Sequence, residues 1–306
     1  MAKTILVTGA SGFIGSHLAE ALVAAGHTVR AMTRRPGEYA GAGHPVHGDV
    51  ADPRSLDAAL AGADAAYYLV HSLGVDDFAE RDAHGARTFA VASERAGLER
   101  IIYLGGLGSD KEELSAHLRS RRDVEEILRA GPVPVTVLRA GVVIGHGSIS
   151  WEITRQLVDH LPAVVTPRWV NTRTQPIALP DVIRYLVGVL EPIEARGRVY
   201  EIGGPEVLRY IDMLERTASV RRKPLPNITV PLLTPRLSSA WLALVTNVDF
   251  PTARNLVDSM ITEVTVRDHS IEDLVPGDTI GYDDAVRMAL AERERAKASS
   301  RAMGDS

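Results

Sequence analysis

Short, uniformly apolar segments alternate with longer segments of helical spacing in the first half of the chain. The apolar segments are rich in β-branched residues and predict strands at Thr4–Thr8, His27–Thr33, Ala65–Val70, Arg100–Leu104 and Val135–Arg139. The segments between them predict helices at Phe13–Ala25, Pro53–Leu60, Asp76–Ala96 and Glu112–Ala130. Strands that are apolar along their whole length are typical of a parallel sheet with both faces covered. The pattern therefore predicts an α/β fold built on a doubly wound parallel sheet.

The pattern is less regular after Gly145. Helices are predicted at Ser150–Leu161, Asp181–Leu190, Tyr210–Ser219, Ser238–Leu244, Thr252–Met260 and Asp283–Arg295, and strands at Thr174–Ala178 and Arg198–Ile202. We therefore expect a sheet domain at residues 1–145 and a smaller lobe at residues 146–295, partly interleaved with the sheet. Residues 296–306 are mostly polar and predict a disordered tail.

The composition excludes several classes of protein. Of the 306 residues, 45% are hydrophobic and 24% are charged, which is the balance of a folded globular protein. No apolar run reaches the roughly 18 residues of a membrane span, and the N-terminus lacks the pattern of a signal peptide. Since the chain contains no cysteine, disulfides, thiolate metal sites and cysteine nucleophiles are excluded. A cytoplasmic protein is expected.

The charge balance narrows the expected partners. The 34 Lys and Arg residues against 39 Asp and Glu residues give a net charge of -5, which offers no basic surface for nucleic acid. The histidines are scattered along the sequence, so no metal site is expected. We expect a small-molecule substrate and a monomer or homodimer.

A glycine-rich turn follows the first predicted strand and opens the first predicted helix. In the stretch Thr8–Gly15 (TGASGFIG), Gly9 permits a tight turn, Gly12 lets the backbone approach a pyrophosphate, and Gly15 lets the helix pack closely on the strand. The N-terminus of the helix presents free N–H groups to the phosphates. The sequence therefore predicts a dinucleotide site formed by Gly9, Ser11, Gly12, Phe13, Ile14 and Gly15. The alternative is a glycine-rich turn without a ligand.

Several further segments carry a family resemblance. They are Gly48–Asp52, Tyr67–Ser72, Leu104–Gly108, Ser115–Arg121, Leu138–Gly141 and Gln175–Ile177. With the glycine turn, they resemble the extended or atypical branch of the short-chain dehydrogenase/reductase superfamily, and within it the NmrA-like NAD(P)-binding group. The resemblance implies a Rossmann fold, with Asp49 near the adenine amino group. It also implies cofactor contacts from Val50, Leu69, Val70, His71 and Gly105.

The end of the second predicted strand bears on the choice of nicotinamide cofactor. An acidic residue there would bind the ribose 2′-hydroxyl of NAD. This chain has Arg34 and Arg35 instead, and guanidinium groups offer a planar fork to phosphate oxygens. NADP(H) is therefore the expected cofactor, with NAD possible. One member of the pair could instead be a solvated surface charge.

The resemblance also shows what this chain lacks. Typical members of the superfamily use a Ser after a central strand and a Tyr-x-x-x-Lys helix, in which the Tyr exchanges a proton with the substrate oxygen. Here Gly105 and Gly106 stand where the Ser is expected, and His117 and Arg121 share one helix face at four-residue spacing. In one interpretation His117 is an acid or base and Arg121 binds the ribose or a substrate anion. In the other, His117 lies on the surface and Arg121 pairs with Glu125.

The substrate is expected beyond the carboxyl ends of the strands, where doubly wound sheets bind ligands. The small residues of Ala140, Gly141 and Val142 would let the nicotinamide approach closely. The side chains considered for the substrate cleft are His71, Ser72, Trp151, Arg155, Arg168, Trp169 and Gln175. The two Trp residues could equally pack the smaller lobe. Tyr67, Tyr68 and Tyr103 are expected in the core, and Ser109 and Lys111 in a turn.

Two functions fit these observations. The first is an NADP(H)-dependent oxidoreductase that transfers a hydride to or from a small organic substrate. The second is an NmrA-like NADP(H) sensor or assembly factor without turnover, which the missing Ser and Tyr-x-x-x-Lys favour. A sugar-nucleotide epimerase or dehydratase is weakened by the same missing residues.

Overall fold

The computed structural model describes residues 2–72, 74–108, 114–160, 164–166, 168–224, 227–229, 246 and 250–304. Its strands are Thr4–Thr8 (β1), Thr28–Thr33 (β2), His44–His47 (β3), Ala65–Tyr68 (β4), Arg100–Gly106 (β5), Val135–Ala140 (β6), Val143–Ile144 (β7), Val164–Thr166 (β8), Arg173–Thr174 (β9), Ile177–Ala178 (β10), Val199–Ile202 (β11), Leu208–Arg209 (β12) and Asn227–Thr229 (β13). Its α-helices are Phe13–Ala24 (α1), Pro53–Leu60 (α2), Phe78–Ala96 (α3), Ala116–Arg129 (α4), Ile149–His160 (α5), Leu179–Gly188 (α6), Tyr210–Val220 (α7), Phe250–Ser259 (α8), Ser270–Leu274 (α9) and Tyr282–Gly304 (α10).

The central sheet has seven parallel strands in the order β11-β6-β5-β4-β1-β2-β3. Its strands are buried on both faces, as in Ile5, Leu6 and Val7, which are fully inaccessible to solvent. The chain leaves β1 toward β2 and β3, and then crosses back to β4 on the other side. Such a switch opens a crevice at the carboxyl edge of the sheet. The Rossmann-type α/β fold expected from the sequence is confirmed.

Helices cover both faces of the sheet. On one face, α1 and α6 pack through Leu18, Leu22, Val182 and Leu186. On the other face, α2, α3 and α4 pack through Leu56, Leu60, Phe89, Val124 and Leu128. The apolar residues of these helices recur at three- and four-residue spacing, so each helix presents one apolar stripe to the strands.

A smaller lobe has its own core, formed by α5, α7, α8 and α10 around the fully buried Trp151. The lobe also reaches the first helix of the sheet domain, since His17 Nε2 lies 3.0 Å from a carboxylate oxygen of Glu292 in α10. Between the two parts, α8 packs against α4. This contact places the lobe over the carboxyl edge of the sheet.

Elements of the sheet domain interrupt the lobe, and the last helix runs farther than predicted. The chain returns to the sheet domain after residue 145, because β11 pairs with β6 and α6 packs beside α1. The last helix continues to Gly304, so the expected disordered tail is wrong for residues 296–304. The polar composition of this stretch reflects its many exposed positions on a helix. The helix expected at 238–244 and the turn residues Ser109 and Lys111 lie outside the described residues.

The described residues also bear on whether the chain has a membrane span or a metal site. None of the described helices combines the length and the apolar character that crossing a membrane requires. In the same part of the chain, no group of three or more His, Asp or Glu side chains is arranged to hold a metal ion.

Candidate active site

A cavity of about 460 Å³ lies at the carboxyl edge of the sheet, under the smaller lobe. The lining includes thirteen residues that the sequence singled out: Gly9, Gly12, Phe13, Ile14, Gly15, Leu69, His71, Gly105, His117, Arg121, Ala140, Gly141 and Val142. The structure therefore brings together the glycine turn, the ends of β4, β5 and β6, and the face of α4. These residues are far apart in the sequence and meet because parallel strands end at one edge.

The glycine turn is shaped to approach a ligand with its backbone. Gly9 has a φ of +63°, which side-chain-bearing residues rarely adopt. A β-carbon on Gly15 would lie 2.2 Å from the carbonyl oxygen of Gly9, so only glycine allows α1 to begin this close to β1. A β-carbon on Gly12 would have only that same oxygen nearby, at 3.1 Å. Gly12 therefore faces open space on the ligand side.

The first turn of α1 can accept an anion. Gly12 caps the helix without a side-chain hydrogen bond, and no acidic residue lies in the first turn. The N–H groups of Phe13, Ile14 and Gly15 have no acceptor within the helix, since the first turn of an α-helix lacks one. The positive end of the helix dipole adds to the attraction. A dinucleotide pyrophosphate fits this cradle.

Arg34, Arg35 and Asp49, which are expected at the adenosine end, follow β2 and β3 at the same edge of the sheet. They do not line the cavity, and neither do Ser11, Val50 and Val70. Arg34 is exposed and, among the described residues, has no hydrogen bond or ion pair. Arg35 is already paired with Glu38, at 2.9 Å between Nη1 and Oε2. The Asp49 carboxylate accepts a hydrogen bond from the Ala51 N–H at 2.9 Å.

Arg121 is held by the end of β5. Its Nη2 donates to the carbonyl of Leu104, and its guanidinium carbon lies 5.0 Å from the centre of the Tyr103 ring. The Tyr103 hydroxyl in turn donates to the Arg121 carbonyl at 3.0 Å. The remaining terminal nitrogen, Nη1, is buried and has no hydrogen-bond partner among the residues that the structure describes. Arg121 lines the cavity, and a ligand acceptor there can satisfy this unpaired donor.

His117 lies one turn before Arg121 and lines the same cavity. Burial, the charge of Arg121 and the neighbouring His71 lower the pKa of His117 to about 3. The position of His117 in the first turn of α4 acts in the same direction, because the helix N-terminus disfavours a cation. Desolvation and Arg121 also lower the pKa of His71, although that residue remains exposed. His117 is therefore neutral at physiological pH and can donate a hydrogen bond.

The lowered pKa of His117 predicts a loss of stability in acid. The unfolded chain takes up a proton near the ordinary pKa of 6.5, whereas the folded chain does so only near pH 3. The contribution of neutral His117 to the free energy of unfolding is fully present above pH 6.5 and is lost as the pH falls toward 3. We expect His117→Gln to reduce the acid dependence of the unfolding free energy by up to about 1.4 kcal/mol per pH unit. Urea unfolding between neutral and mildly acid pH measures this, and an unchanged slope would contradict it.

Three of the side chains considered for the substrate cleft do not line the cavity, and Trp151 takes the alternative position in the lobe core. Trp151 is fully buried in the core of the lobe. Arg155 is buried and forms ion pairs with Glu152 and Asp159, at 2.8 and 2.5 Å. Gln175 donates to the carbonyl of Gly204 at 2.7 Å and accepts from the N–H of Val266 at 2.9 Å. These polar side chains satisfy buried groups and do not face the cavity.

Other predictions for this region have mixed outcomes. Ser72 does not line the cavity, and the side chains of Arg168 and Trp169 lie outside the described part of the structure. Tyr67, Tyr68 and Tyr103 are buried, as expected of core residues. The surface pair of Arg121 with Glu125 does not form among the described residues. Glu125 instead accepts two hydrogen bonds from Arg139, at 2.9 and 2.7 Å.

Sequence reasoning missed the contribution of the lobe to the cavity. The lobe supplies Ser148, Ser150, Tyr210, Leu256, Ser259, Met260 and Val264. Ser148 and Ser150 lie at the start of α5, where the Gly147-Ser148 sequence signals the beginning of a helix. No comparable local signal marks the others, because only the packing of α8 against α4 brings them to the site.

Comparison with known proteins agrees with this geometry. A family model described as NAD(P)H-binding matches residues 9–165. A (4-alkanoyl-5-oxo-2,5-dihydrofuran-3-yl)methyl phosphate reductase from Streptomyces griseus is 29% identical over 233 residues, which cover 72% of this chain and 75% of that protein. A ceramide reductase from Caulobacter vibrioides is 30% identical over 175 residues, which cover 52% of each protein.

Solved structures share the fold at lower sequence identity. An NADPH-dependent quinone oxidoreductase from Escherichia coli, complexed with NADPH, superposes with a TM-score of 0.77 at 19% identity and covers 92% of this chain and 98% of that one. A triphenylmethane reductase from Citrobacter sp. has a TM-score of 0.77 at 18% identity and covers 94% of this chain and 99% of that one. The matched family segment contains the three glycines of the turn, His117 and Arg121. The chain therefore belongs to the NAD(P)H-binding family, in the NmrA-like, atypical branch of the short-chain dehydrogenases/reductases.

Proposed function

We propose that this NAD(P)-dependent oxidoreductase uses NADPH to reduce a small, largely apolar compound at a carbonyl or quinone oxygen. The observation that carries the proposal is that Arg121, whose buried Nη1 has no partner among the described residues, and neutral His117 both line the cavity. Both groups can donate to the same kind of acceptor, an oxygen that becomes negative during reduction. Much of the remaining wall is apolar, including Leu69, Leu118 and Met260.

The relatives support this choice of reaction. The Streptomyces griseus and Caulobacter vibrioides relatives are named as reductases, and the Escherichia coli neighbour is named as a quinone oxidoreductase. These proteins differ in their substrates. We therefore carry over only the direction of the reaction, reduction of an organic substrate by a nicotinamide cofactor.

In the proposed reaction, separate groups of residues bind the pyrophosphate, the nicotinamide and the substrate oxygen. Gly9, Gly12 and the first turn of α1 hold the pyrophosphate, and Ala140 and Gly141 let the nicotinamide lie against the end of β6. When bound, NADPH supplies the hydride. Arg121 and His117 bind the substrate oxygen and stabilise its negative charge as the hydride arrives at the adjacent carbon.

In this proposal, the proton that completes the reduction does not come from His117. Neutral His117 is a poor acid in the substrate complex, because loss of its ring proton would leave an imidazolate. Its role resembles that of a neutral imidazole that polarises a carbonyl. We propose that solvent delivers the proton to the oxygen after hydride transfer, through the open side of the cavity near exposed His71.

The unpaired Arg34 predicts the cofactor preference. We expect Arg34→Ala to weaken NADPH binding by about 10-fold and to leave NADH binding unchanged, because a charged hydrogen bond to the 2′-phosphate is lost. Arg35→Ala is expected to have a smaller effect, since Glu38 already binds that guanidinium. Fluorescence titration with both cofactors measures this. Equal affinity of the wild-type protein for NADH and NADPH would contradict the preference for NADPH.

The alternative function is an NADP(H) sensor or assembly factor without turnover. The lowered pKa of His117 favours it, because this residue is then not a proton donor of ordinary strength beside Arg121. Incubation with NADPH and a panel of quinones, aldehydes and enones, followed by nicotinamide absorbance, separates the two. Oxidation of NADPH with one of these classes is the expected result. Tight NADPH binding without oxidation by any class would favour the sensor.

We also propose a cytoplasmic location and a monomeric or homodimeric state. The cysteine-free composition supports the location, because it suits a reducing compartment. Sedimentation analysis of the purified protein measures the state, and a larger assembly would contradict the proposal.

A further inference from the structure

A short chain of hydrogen bonds crosses from the helix that carries His117 and Arg121 to the lobe. Ser115 caps α4, and its Oγ accepts from the Leu118 N–H at 3.2 Å. The same oxygen lies 2.9 Å from the Oγ of Ser259, the last residue of α8. The Ser259 hydroxyl donates to the carbonyl of Asn255 at 2.8 Å. The two parts of the molecule therefore meet through a pair of hydroxyl groups.

The two end groups of this series of hydrogen bonds fix the direction of each bond in the series. The Leu118 N–H can only donate, and the Asn255 carbonyl can only accept. Because the single proton of Ser259 is used toward Asn255, the proton between the two hydroxyls comes from Ser115. The Ser259 oxygen then has one lone pair left and no proton to give.

Ser259 is also part of the cavity wall, between apolar neighbours of the same lobe. Leu256, Met260 and Val264 line the cavity around it. A ligand O–H or N–H group that is buried against such side chains without an acceptor loses its hydrogen bond to water, which is unfavourable. The spare lone pair of Ser259 can accept that hydrogen bond.

We propose that Ser259 is a specificity-determining residue that selects substrates with an O–H or N–H group on an otherwise apolar body. The proposal rests on the proposed function, since the cavity must hold a substrate beside the cofactor. The site then offers hydrogen-bond donors at one end and a hydrogen-bond acceptor at the other. His117 and Arg121 donate to the oxygen that is reduced, whereas Ser259 accepts from a second polar group of the substrate. Through Ser115, the acceptor is attached to the same helix as the donors.

A matched pair of ligands tests the proposal by binding. 4-Hydroxyacetophenone and 4-methoxyacetophenone differ in one donated proton, and both are titrated calorimetrically into the NADP⁺-loaded protein in mildly acid buffer, where the phenol is neutral. We expect the hydroxyl compound to bind about 5-fold tighter to the wild type, the ratio typical of one neutral hydrogen bond. Ser259→Ala should bring the two affinities to within about 2-fold, and Ser259→Thr should restore the ratio.

Ser115→Ala is the control that separates capping from recognition. It removes the N-cap of α4 and should lower the melting temperature, but it leaves the Ser259 oxygen in the cavity and should keep the ratio. An unchanged ratio in Ser259→Ala, equal binding of both compounds to the wild type, or binding of neither would overturn the proposal. NADPH oxidation by the wider substrate panel, measured separately, reports on the proposed function itself. If the wild type oxidises NADPH with the panel but binds the two acetophenones equally, only the role of Ser259 is contradicted.

Discussion

Replacing Gly12 with Val is expected to abolish NADPH binding while leaving the protein folded. Gly12 has φ -84° and ψ 172°, which valine adopts readily, and its β-carbon would meet only the Gly9 carbonyl oxygen, at 3.1 Å. The branched side chain would instead occupy the space that the pyrophosphate needs. We expect affinity for NADPH to fall by about 100-fold or more, which corresponds to ~2.7 kcal/mol. Fluorescence titration measures the affinity, and thermal unfolding checks the fold.

Two other glycine substitutions separate folding from binding. Gly131→Ala places a methyl group at the opposite edge of the sheet, with its nearest contact at an ordinary 3.4 Å, and should change neither property. Gly15→Ala would force its β-carbon to 2.2 Å from the backbone of Gly9, so α1 must move. We expect this variant to lose about 1–3 kcal/mol of stability as well as affinity. Unchanged NADPH affinity in Gly12→Val would show that the pyrophosphate lies elsewhere.

Replacing Arg121 with Met is expected to have the largest effect on turnover. The substitution preserves much of the apolar stem but removes the buried Nη1, for which the described part of the chain supplies no partner. Loss of one donor to a developing negative oxygen lowers kcat by about 100-fold or more. We expect a decrease of this size in kcat/KM with the best quinone, aldehyde or enone of the panel. Arg121→Lys should recover part of the rate, because the charge returns without the planar fork.

Arg119 provides a matched control on the same helix. It is exposed, and its Nη2 donates to the Leu114 carbonyl at 3.0 Å, away from the cavity lining. Arg119→Ala should therefore retain turnover. If Arg121→Met retained turnover as well, Arg121 would have only a packing role against Tyr103.

The two halves of the chain differed in how well sequence could predict them. The sequence predicted the alternating strands and helices and the glycine turn. It also predicted that His117 and Arg121 share one helix face. Each of these features depends on residues that are close in sequence. Sequence could not assign Trp151 and Arg155, because aromatic and cationic side chains suit both a cleft and a buried core or ion pair. The outcome depends on contacts that no local pattern encodes, such as the packing of Trp151 against α7, α8 and α10 and the ion pair that Asp159, a partner of Arg155, also makes with Arg221.

The sequence by itself determined the Rossmann sheet and the position of its nucleotide turn. Both follow from short-range rules, the apolar runs of buried strands and the steric needs of Gly9 and Gly15. The tertiary structure alone decided which lobe residues face the cavity. Ser115 and Ser259 are 144 residues apart and meet only because α8 packs on α4. The tertiary structure likewise decided the protonation state of His117, because its lowered pKa arises from burial beside Arg121 and His71.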